Sequence, residues 1–286
     1  MEILPKSLVF IDACDLCLCD HSYKMKNRIA LKFQILRTQG KKAFISFLTA
    51  GDPSLKVTEE LVLAFEQAGV DIVELGVPFS DPLADGPTIQ ASSQRALQNG
   101  ITLLKILKTV QNIRRSSQIP IVIMTYYNPV FHFGEEKFAV CARASGADGV
   151  IIPDLPPEEA EGFIKAARRQ NLSTVFFLSP TTTPPRMKKI IAASTGFIYY
   201  VSLTGVTGSR RALSADLLKN IKLAKALTDK PICVGFGIST FSQVREISKI
   251  ADGVIVGSAI VQEIAKNFEK KDLIKKIARF VRSLVV

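Results

Sequence analysis

Two acidic residues, Glu74 and Asp85, have the side chains and the sequence context of a catalytic pair. Glu74 interrupts an apolar run from Ile72 to Val77 that is typical of a strand buried on both faces. Asp85 follows in a proline-rich loop, which favours one fixed backbone shape. Because burial raises the pKa of an unpaired carboxyl, such a pair is suited to acid–base catalysis. The alternative is structural, with Glu74 in a buried ion pair and the loop acids capping the next helix.

Other catalytic groups are scarce. The chain has two histidines, His21 and His132, which are too few for a multi-histidine metal site. They also leave almost no histidine from which a Ser-His-Asp triad could be built. Catalysis must therefore rest on carboxylates, hydroxyls and backbone groups. Cys14, Cys17 and Cys19 precede His21, but this cluster is cramped and has no second half, so no metal site is predicted.

The composition of the 286-residue chain fits a globular protein with a large core, because 47% of its residues are apolar and 22% are charged. The net charge is +11, but the basic residues are spread over helical segments without a matching aromatic platform. We therefore expect a solvated surface and no nucleic-acid binding, with an anionic small substrate as a second interpretation of the charge. Five cysteines do not indicate a disulfide framework here, and no apolar stretch is long enough for a transmembrane helix.

Short β-rich runs alternate with longer helical patterns from residue 43 onward. Eight strands, each followed by a helix, predict a single α/β domain of the (β/α)8 TIM-barrel type. The predicted strands are Ala43–Leu48, Val70–Leu75, Pro120–Tyr126, Gly149–Ile152, Ser173–Leu178, Phe197–Val201, Pro231–Val234 and Gly253–Val256. Helices are predicted near 54–68, 88–99, 102–116, 135–145, 157–170, 184–194, 214–226, 240–249, 258–268 and 271–284.

The N-terminal part of the chain divides in two. Ile29, Phe33 and Leu36 recur at helical spacing, which predicts an extra helix before the first strand. Residues 1–24 differ in composition from everything that follows. We therefore expect the barrel to span residues 25–286, with Met25 as the true start and residues 1–24 as a non-structural or misannotated extension.

Active sites of such barrels lie at the carboxyl ends of the strands. Gly235-Phe236-Gly237 follows strand seven, and Gly257-Ser258 follows strand eight. Glycines let backbone N–H groups approach an anion, and a helix N-terminus adds partial positive charge. Together the two glycine sites predict phosphate binding, although each alone is compatible with an ordinary turn. The segment 205–211, with two glycines and several hydroxyls, is predicted to be a closing lid.

The segment I-V-E-L-G-V-P-F-S-D-P-L-A-D-G-P at 72–87 closely resembles the signature of the tryptophan synthase α subunit family. The likeness covers residues 25–286 and continues in order through F-L-T-A-G-D-P (47–53), M-T-Y-Y-N-P (124–129), P-D-L-P (153–156), Y-Y-V-S-L-T-G-V-T-G-S-R (199–210), G-F-G-I-S (235–239) and D-G-V-I-V-G-S-A-I-V (252–261). The resemblance implies a lyase that cleaves indole-3-glycerol phosphate into indole and glyceraldehyde 3-phosphate by a retro-aldol reaction. Ser46 stands where many members have proline, and we expect no effect on activity.

The resemblance also implies roles for individual residues. Glu74 is expected to be the acid–base catalyst, Asp85 to bind the indole N–H, and Tyr199 to lie near the reacting carbon. Thr207, in the lid, is expected to contact Asp85 on closure. The other substrate-binding residues are expected to be Phe47, Met124 and Tyr126 around the indole ring, and Gly208, Phe236, Gly237, Gly257 and Ser258 around the phosphate.

A second subunit is part of what the resemblance implies. The family's β subunit would receive indole through a tunnel in a cytoplasmic α2β2 heterotetramer, and Pro78, Asp81 and Asn128 would face it. The α subunit itself would hold no metal or cofactor, because pyridoxal phosphate belongs to the β subunit. The reaction belongs to tryptophan biosynthesis.

Three alternatives remain open. A stand-alone lyase would have the same site and release indole freely, and a catalytically silent chain would serve only to activate the β subunit. Intact Glu74, Asp85 and Thr207 speak against the silent chain. A Schiff-base aldolase needs a desolvated lysine at the end of a strand, and none of the eight predicted strands ends in one.

Overall fold

The computed structural model describes residues 27–201, 215–235 and 237–286. These ranges contain nine parallel strands: β1 Ala43–Thr49, β2 Ile72–Gly76, β3 Ile121–Met124, β4 Gly149–Ile151, β5 Ser173–Val175, β6 Phe177–Leu178, β7 Ile198–Val201, β8 Ile232–Gly235 and β9 Gly253–Val256. The predicted N-terminal extension and the predicted lid at 205–211 lie outside the described residues, so the expected boundary at residue 25 stays a prediction.

Twelve helices lie within the same ranges: α1 Arg28–Thr38, α2 Leu55–Ala68, α3 Pro87–Gln98, α4 Leu103–Ile113, α5 Tyr127–Phe133, α6 Glu135–Ser145, α7 Glu161–Arg169, α8 Pro184–Ala193, α9 Ala215–Leu227, α10 Phe241–Ser248, α11 Ser258–Asn267 and α12 Leu273–Arg282. Among these described helices, none has both the length and the apolar character needed to cross a membrane.

The strands form one sheet that closes on itself. Its order is β5-β4-β3-β2-β1-β9-β8-β7-β6, and the two strands at its ends are separated along the chain by Phe176 alone. Val175 pairs with Ile151 of β4, whereas Phe177 pairs with Tyr199 of β7. The predicted fifth strand is therefore split into two short pieces, each bonded to a different neighbour. The prediction of a single (β/α)8 barrel is confirmed.

Two predicted elements differ from the structure at proline-containing turns. Strand three ends at Met124, and Tyr126 caps an unpredicted helix, α5, whose proline stands in the first turn, where its missing N–H costs no helical bond. Helix α7 begins at Glu161 and not near 157, because turns occupy residues 153–154 and 157–159. Asn128 consequently lies on a helix and not at a strand end.

Helix α1 closes the amino end of the barrel and confirms the predicted extra helix. The cluster of side chains that fills the barrel interior includes Ile29, Phe33 and Leu36. The Phe33 ring packs against Phe197, which directly precedes β7, with a centroid distance of 6.1 Å. The helix is anchored by Asn27, whose Nδ2 donates to the backbone oxygen of Asp148 at 2.8 Å. Apolar burial on one face of α1 thus seals the barrel at the end opposite to the predicted site.

A buried charge cluster surrounds Asp148 next to this seal. Its carboxylate is fully buried and bonds Arg28 and Arg114 at 2.9 Å each, while Arg143 lies at 3.5 Å. The backbone N–H of Ile121 also donates to it at 3.0 Å. Since a buried carboxylate is tolerated only with such partners, this cluster fixes α1, α4 and α6 around β3 and β4.

Ser46 is an unsatisfied buried hydroxyl in the centre of β1. It is fully buried, and its Oγ has no hydrogen-bond partner among the described residues. We expect Ser46→Ala to raise the free energy of unfolding by about 1 kcal/mol, because the variant removes a desolvated group that gains no bond. Urea unfolding tests this. The control is Ser145→Ala, which loses a buried bond of 2.8 Å to the Ala142 oxygen and should not gain stability. Equal stability changes in both variants would contradict the interpretation.

Candidate active site

A cavity of about 340 Å³ opens at the carboxyl ends of the strands. This is the end of the barrel at which the sequence predicts the site. Its lining residues are Phe47, Glu74, Ala84, Asp85, Gly86, Ile89, Met124, Pro153, Phe177, Ser179, Tyr199, Val201, Gly237, Ile255, Gly257 and Ser258. None of these described lining residues is a lysine, which leaves a Schiff-base reaction without its nucleophile here.

Glu74 projects from β2 into the barrel and lines the cavity. Strand register places it between Phe47 of β1 and Val122 of β3, and its residue exposure is 1%. Its Oε1 has no hydrogen-bond partner among the described residues. Desolvation therefore raises the pKa of Glu74 from its ordinary 4.5 to about 8. A carboxyl that is protonated at neutral pH and faces a cavity can donate a proton there, so the structural interpretation of Glu74 as an ion-pair member is wrong for the described residues.

Asp85 reaches the same cavity from the loop between β2 and α3. Burial raises its pKa, and hydrogen bonding from the Tyr126 side chain acts in the opposite direction. Gly86 and Pro87 begin α3 directly behind it, and its backbone oxygen accepts a bond of 2.9 Å from Gln90. The turn and the helix start therefore hold the Asp85 side chain at the cavity.

Tyr199 completes the polar group of the cavity from β7. Burial raises the pKa of its phenol well above the ordinary value, and the charges of Glu74 and Asp85 act in the same direction. Its ring packs against Phe177 with centroids 4.9 Å apart. The phenol therefore stays protonated and is available as a donor beside both carboxyls.

Two glycines make room for the aromatic rings of the site. A Cβ on Gly76 would lie 2.7 Å from Cε2 of Phe47, and a Cβ on Gly235 would lie 2.8 Å from Cζ of Tyr199. Both distances are shorter than any tolerable carbon contact. The glycines thus fix where the rings lie, and the sequence alone gave no signal that distinguished them from ordinary turn glycines.

Several lining residues were not predicted. Phe177, Val201 and Ile255 line the cavity from the strands, and Ile89 lines it from α3. Strand alternation gives a signal for Val201, which stands two positions after the inward-facing Tyr199 in β7. Ile89 carried no such signal, because its position depends on how the preceding loop turns.

Tyr126 lies beside the main cavity. It lines a much smaller adjoining cavity, which it shares with Phe47, Asp85 and Met124 of the main cavity. Its hydroxyl accepts the Ala84 N–H at 3.0 Å, and its ring stacks on Phe79. Tyr126 therefore contacts the loop that contains Asp85, and its expected place at the indole ring stays a prediction. Phe47 and Met124 line both cavities.

The cavity lining includes predicted anion-binding groups. Gly237, Gly257 and Ser258 all line it, and Gly237 adopts a φ of +70°, which favours glycine. Helix α11 begins at Ser258, so its unpaired N–H groups and partial positive charge lie at the cavity. Thr207, Gly208 and Phe236 lie outside the described residues.

The residues predicted to face a partner differ in accessibility. Asp81 and Asn128 are exposed, but Pro78 is buried. Two apolar side chains in the same segments are unusually exposed, Leu83 at 95% and Phe131 at 66%. The loop between β2 and α3 thus presents an apolar and a charged side chain to solvent, at Leu83 and Asp81.

Comparison with known proteins now identifies the family. The family model for the tryptophan synthase alpha chain matches residues 33–284. The chain belongs to the tryptophan synthase alpha chain family. It is 49% identical to the alpha chain of Geotalea daltonii over 257 residues, covering 90% of this chain and 97% of that one, and 46% identical to the alpha chain of Thermoanaerobacter sp., covering 90% and 98%.

Solved structures of tryptophan synthase support the same family membership. The alpha subunit of Legionella pneumophila superposes with a TM-score of 0.85 at 37% identity, covering 91% of this chain and 97% of that one. A chain from work on the α2β2 tryptophan synthase complex of Pyrococcus furiosus gives a TM-score of 0.80 at 40% identity, covering 85% and 97%. Membership of the tryptophan synthase alpha chain family is thus supported along nearly the whole described barrel, which confirms the resemblance.

Proposed function

We propose that this chain cleaves indole-3-glycerol phosphate to indole and glyceraldehyde 3-phosphate, with Glu74 as the acid–base group. Lyase activity of this kind belongs to the alpha chain of tryptophan synthase. The observation that carries the assignment of Glu74 is its buried carboxyl, whose Oε1 has no hydrogen-bond partner among the described residues and whose pKa of about 8 keeps it protonated at neutral pH. Such a group can give a proton to a reacting carbon that is otherwise a weak base.

This one carboxyl can make both proton transfers of the reaction. Glu74 donates its proton to C3 of the indole ring, which places positive charge on the ring nitrogen. Asp85 accepts a hydrogen bond from the indole N–H and stabilises that charge. The Glu74 carboxylate then takes the proton of the glycerol hydroxyl while the bond between C3 and the side chain breaks. Indole and an aldehyde leave, and Glu74 is protonated again.

Substrate orientation would follow from two groups of lining residues. The N-terminus of α11 with Gly237 and Gly257 would bind the phosphate, together with the predicted Gly208 and Phe236. Phe47 and Met124 would enclose the indole ring on the side of Glu74 and Asp85. The Tyr199 phenol, which stays protonated, would donate a hydrogen bond near the reacting glycerol hydroxyl. Thr207 of the predicted lid would contact Asp85.

The partner would be a tryptophan synthase β subunit in an α2β2 assembly, the assembly named for the Pyrococcus furiosus complex. Asp81 and Asn128 would lie in the interface with the exposed apolar side chains of Leu83 and Phe131, and Pro78 would support the loop from below the surface. Pyridoxal phosphate would belong to the β subunit, and the assembly would work in the cytoplasm.

Indole release from indole-3-glycerol phosphate tests the proposal, measured with the purified chain alone and with an added β subunit. We expect slow release alone and a strong increase with the β subunit. Fast release by the chain alone would favour a free-standing lyase. No release in either condition, with the β subunit still stimulated, would leave a silent partner and overturn the proposed activity.

A further inference from the structure

We propose that Tyr126 is a positioning residue that clamps the loop of residues 78–86, here called the Asp85 loop, so that the Asp85 carboxylate is presented to the cavity. The inference rests on the proposed function, because Asp85 matters only if it meets the substrate. It adds to the expected place of Tyr126 beside the indole ring, which stays a prediction.

The clamp makes two contacts of different kinds. The Tyr126 ring stacks on Phe79 near the start of the loop, with centroids 5.0 Å apart and ring planes inclined by 25°. Its hydroxyl oxygen accepts the N–H of Ala84 near the end of the loop at 3.0 Å. One side chain therefore fixes both ends of the segment that contains Asp85.

The remaining hydrogen bonds of this loop do not replace that contact. Within the described part of the chain, the other hydrogen bonds of residues 80–85 are local: Ser80 to Asp81, Leu83 to Asp81, Asp85 to Pro82, and Gln90 to Asp85. These bonds shape turns but do not tie the loop to another strand. The Tyr126 hydroxyl supplies the tie to the barrel, since Tyr126 directly follows β3.

Tyr126 is itself held rigidly, as a clamp requires. It is 5% exposed and serves as the N-cap residue of α5. The next residue, Tyr127, donates its backbone N–H to Asp154 at 2.8 Å, and Thr125 donates its hydroxyl to the Tyr126 backbone oxygen at 3.2 Å. A site group supported from a rigid element keeps its geometry better than one that depends on its loop alone.

The hydroxyl also acts on Asp85 directly. The Tyr126 oxygen accepts the Ala84 N–H, so its own hydrogen is free to turn toward Asp85, and the interaction with the Tyr126 side chain lowers the pKa of Asp85 against the effect of burial. Two other titratable groups interact with the pair. The charges of Asp85 and Glu74 raise the pKa of Tyr199, and the charge of Asp154 raises the pKa of Tyr126. Without the hydroxyl the charged form of Asp85 loses a donor, so its pKa rises.

The test compares Tyr126→Phe with Tyr127→Phe in the full chain. Tyr126→Phe keeps the stacking ring and removes the hydroxyl, whereas the neighbouring Tyr127 hydroxyl bonds Glu135 at 3.0 Å, away from the cavity. We expect Tyr126→Phe to lower kcat roughly 10- to 100-fold, the range for losing a hydrogen bond to a charged group, and to shift the acid limb of the pH profile to higher pH. Tyr127→Phe should change neither quantity.

Hydrogen exchange of the peptide covering 79–86 gives a readout that is independent of turnover. The clamp predicts faster exchange there in Tyr126→Phe and unchanged exchange in Tyr127→Phe. Unchanged exchange in Tyr126→Phe overturns the clamp, and faster exchange with a wild-type kcat and pH profile overturns its positioning role. A wild-type chain that releases no indole would refute the proposed function instead, with the exchange experiment still deciding whether the clamp exists.

Discussion

Glu74→Gln is expected to lower the rate of indole release by a factor of about 10² to 10⁴, the usual contribution of a positioned acid–base group. Glutamine has nearly the shape of protonated glutamate, so the cavity beside Phe47 should keep its form. What the amide lacks is a proton that it can give to the indole ring and recover from the glycerol hydroxyl. Indole release under saturating substrate measures the effect.

Binding separates this chemical defect from misfolding. A non-cleavable analogue that carries an indole ring and a phosphate should bind Glu74→Gln with an affinity within a few-fold of wild type. The matched control is Glu158→Gln, which removes a carboxylate on the protein surface, 3.5 Å from Arg186. Its turnover should match wild type. A Glu74→Gln variant that also kept a near-wild-type rate would refute the acid–base role.

The raised pKa of Glu74 gives the same role a pH signature. Its protonated form is the one that starts the reaction, and that form is lost as pH rises through about 8. The value of kcat/KM for the wild-type chain should therefore fall above about pH 8, because this quantity reports ionisation in the free enzyme. The residual activity of Glu74→Gln should not show that fall. A flat wild-type profile up to pH 10 would contradict the assignment.

The periodicity of the chain predicts the barrel well, because parallel strands buried on both faces appear as short apolar runs. It does not predict that the run from Ser173 to Leu178 divides at Phe176, since pairing with two different neighbours is a property of the closed sheet. Helix α5 was also missed. Its sequence, Y-N-P-V-F-H-F, contains a proline and is short, and both features normally favour a loop.

The candidate site could be predicted where position along a strand decides what a side chain meets. Glu74, Phe47 and Tyr199 face the barrel interior by strand alternation and lie near carboxyl ends, so the sequence locates them. Tyr126 follows a strand that ends earlier than predicted, and its direction depends on the helix that begins there. The space that Gly76 leaves for Phe47 is a three-dimensional fit that no spacing in the sequence reveals.

The second large effect is expected from Asp85→Asn. An asparagine side chain can still accept a hydrogen bond from the indole N–H, but it has no negative charge to stabilise the positive ring formed when C3 is protonated. Removing one such electrostatic stabiliser costs about 10²- to 10³-fold in kcat. Analogue binding should change little, because the neutral ring needs only an acceptor. Turnover measured beside analogue affinity distinguishes the two contributions.

The control for Asp85→Asn lies in the same loop. Asp81 is exposed and does not line the cavity, so Asp81→Asn should keep the turnover of the isolated chain. The pH profile then identifies the group, because burial raises the pKa of Asp85 and its ionised form disappears as pH falls. Wild-type activity should therefore decline toward acid pH, and this limb should be absent from Asp85→Asn while the decline governed by Glu74 above about pH 8 remains. A variant that retained the acid limb would place that ionisation on another residue and leave the indole N–H without its proposed acceptor.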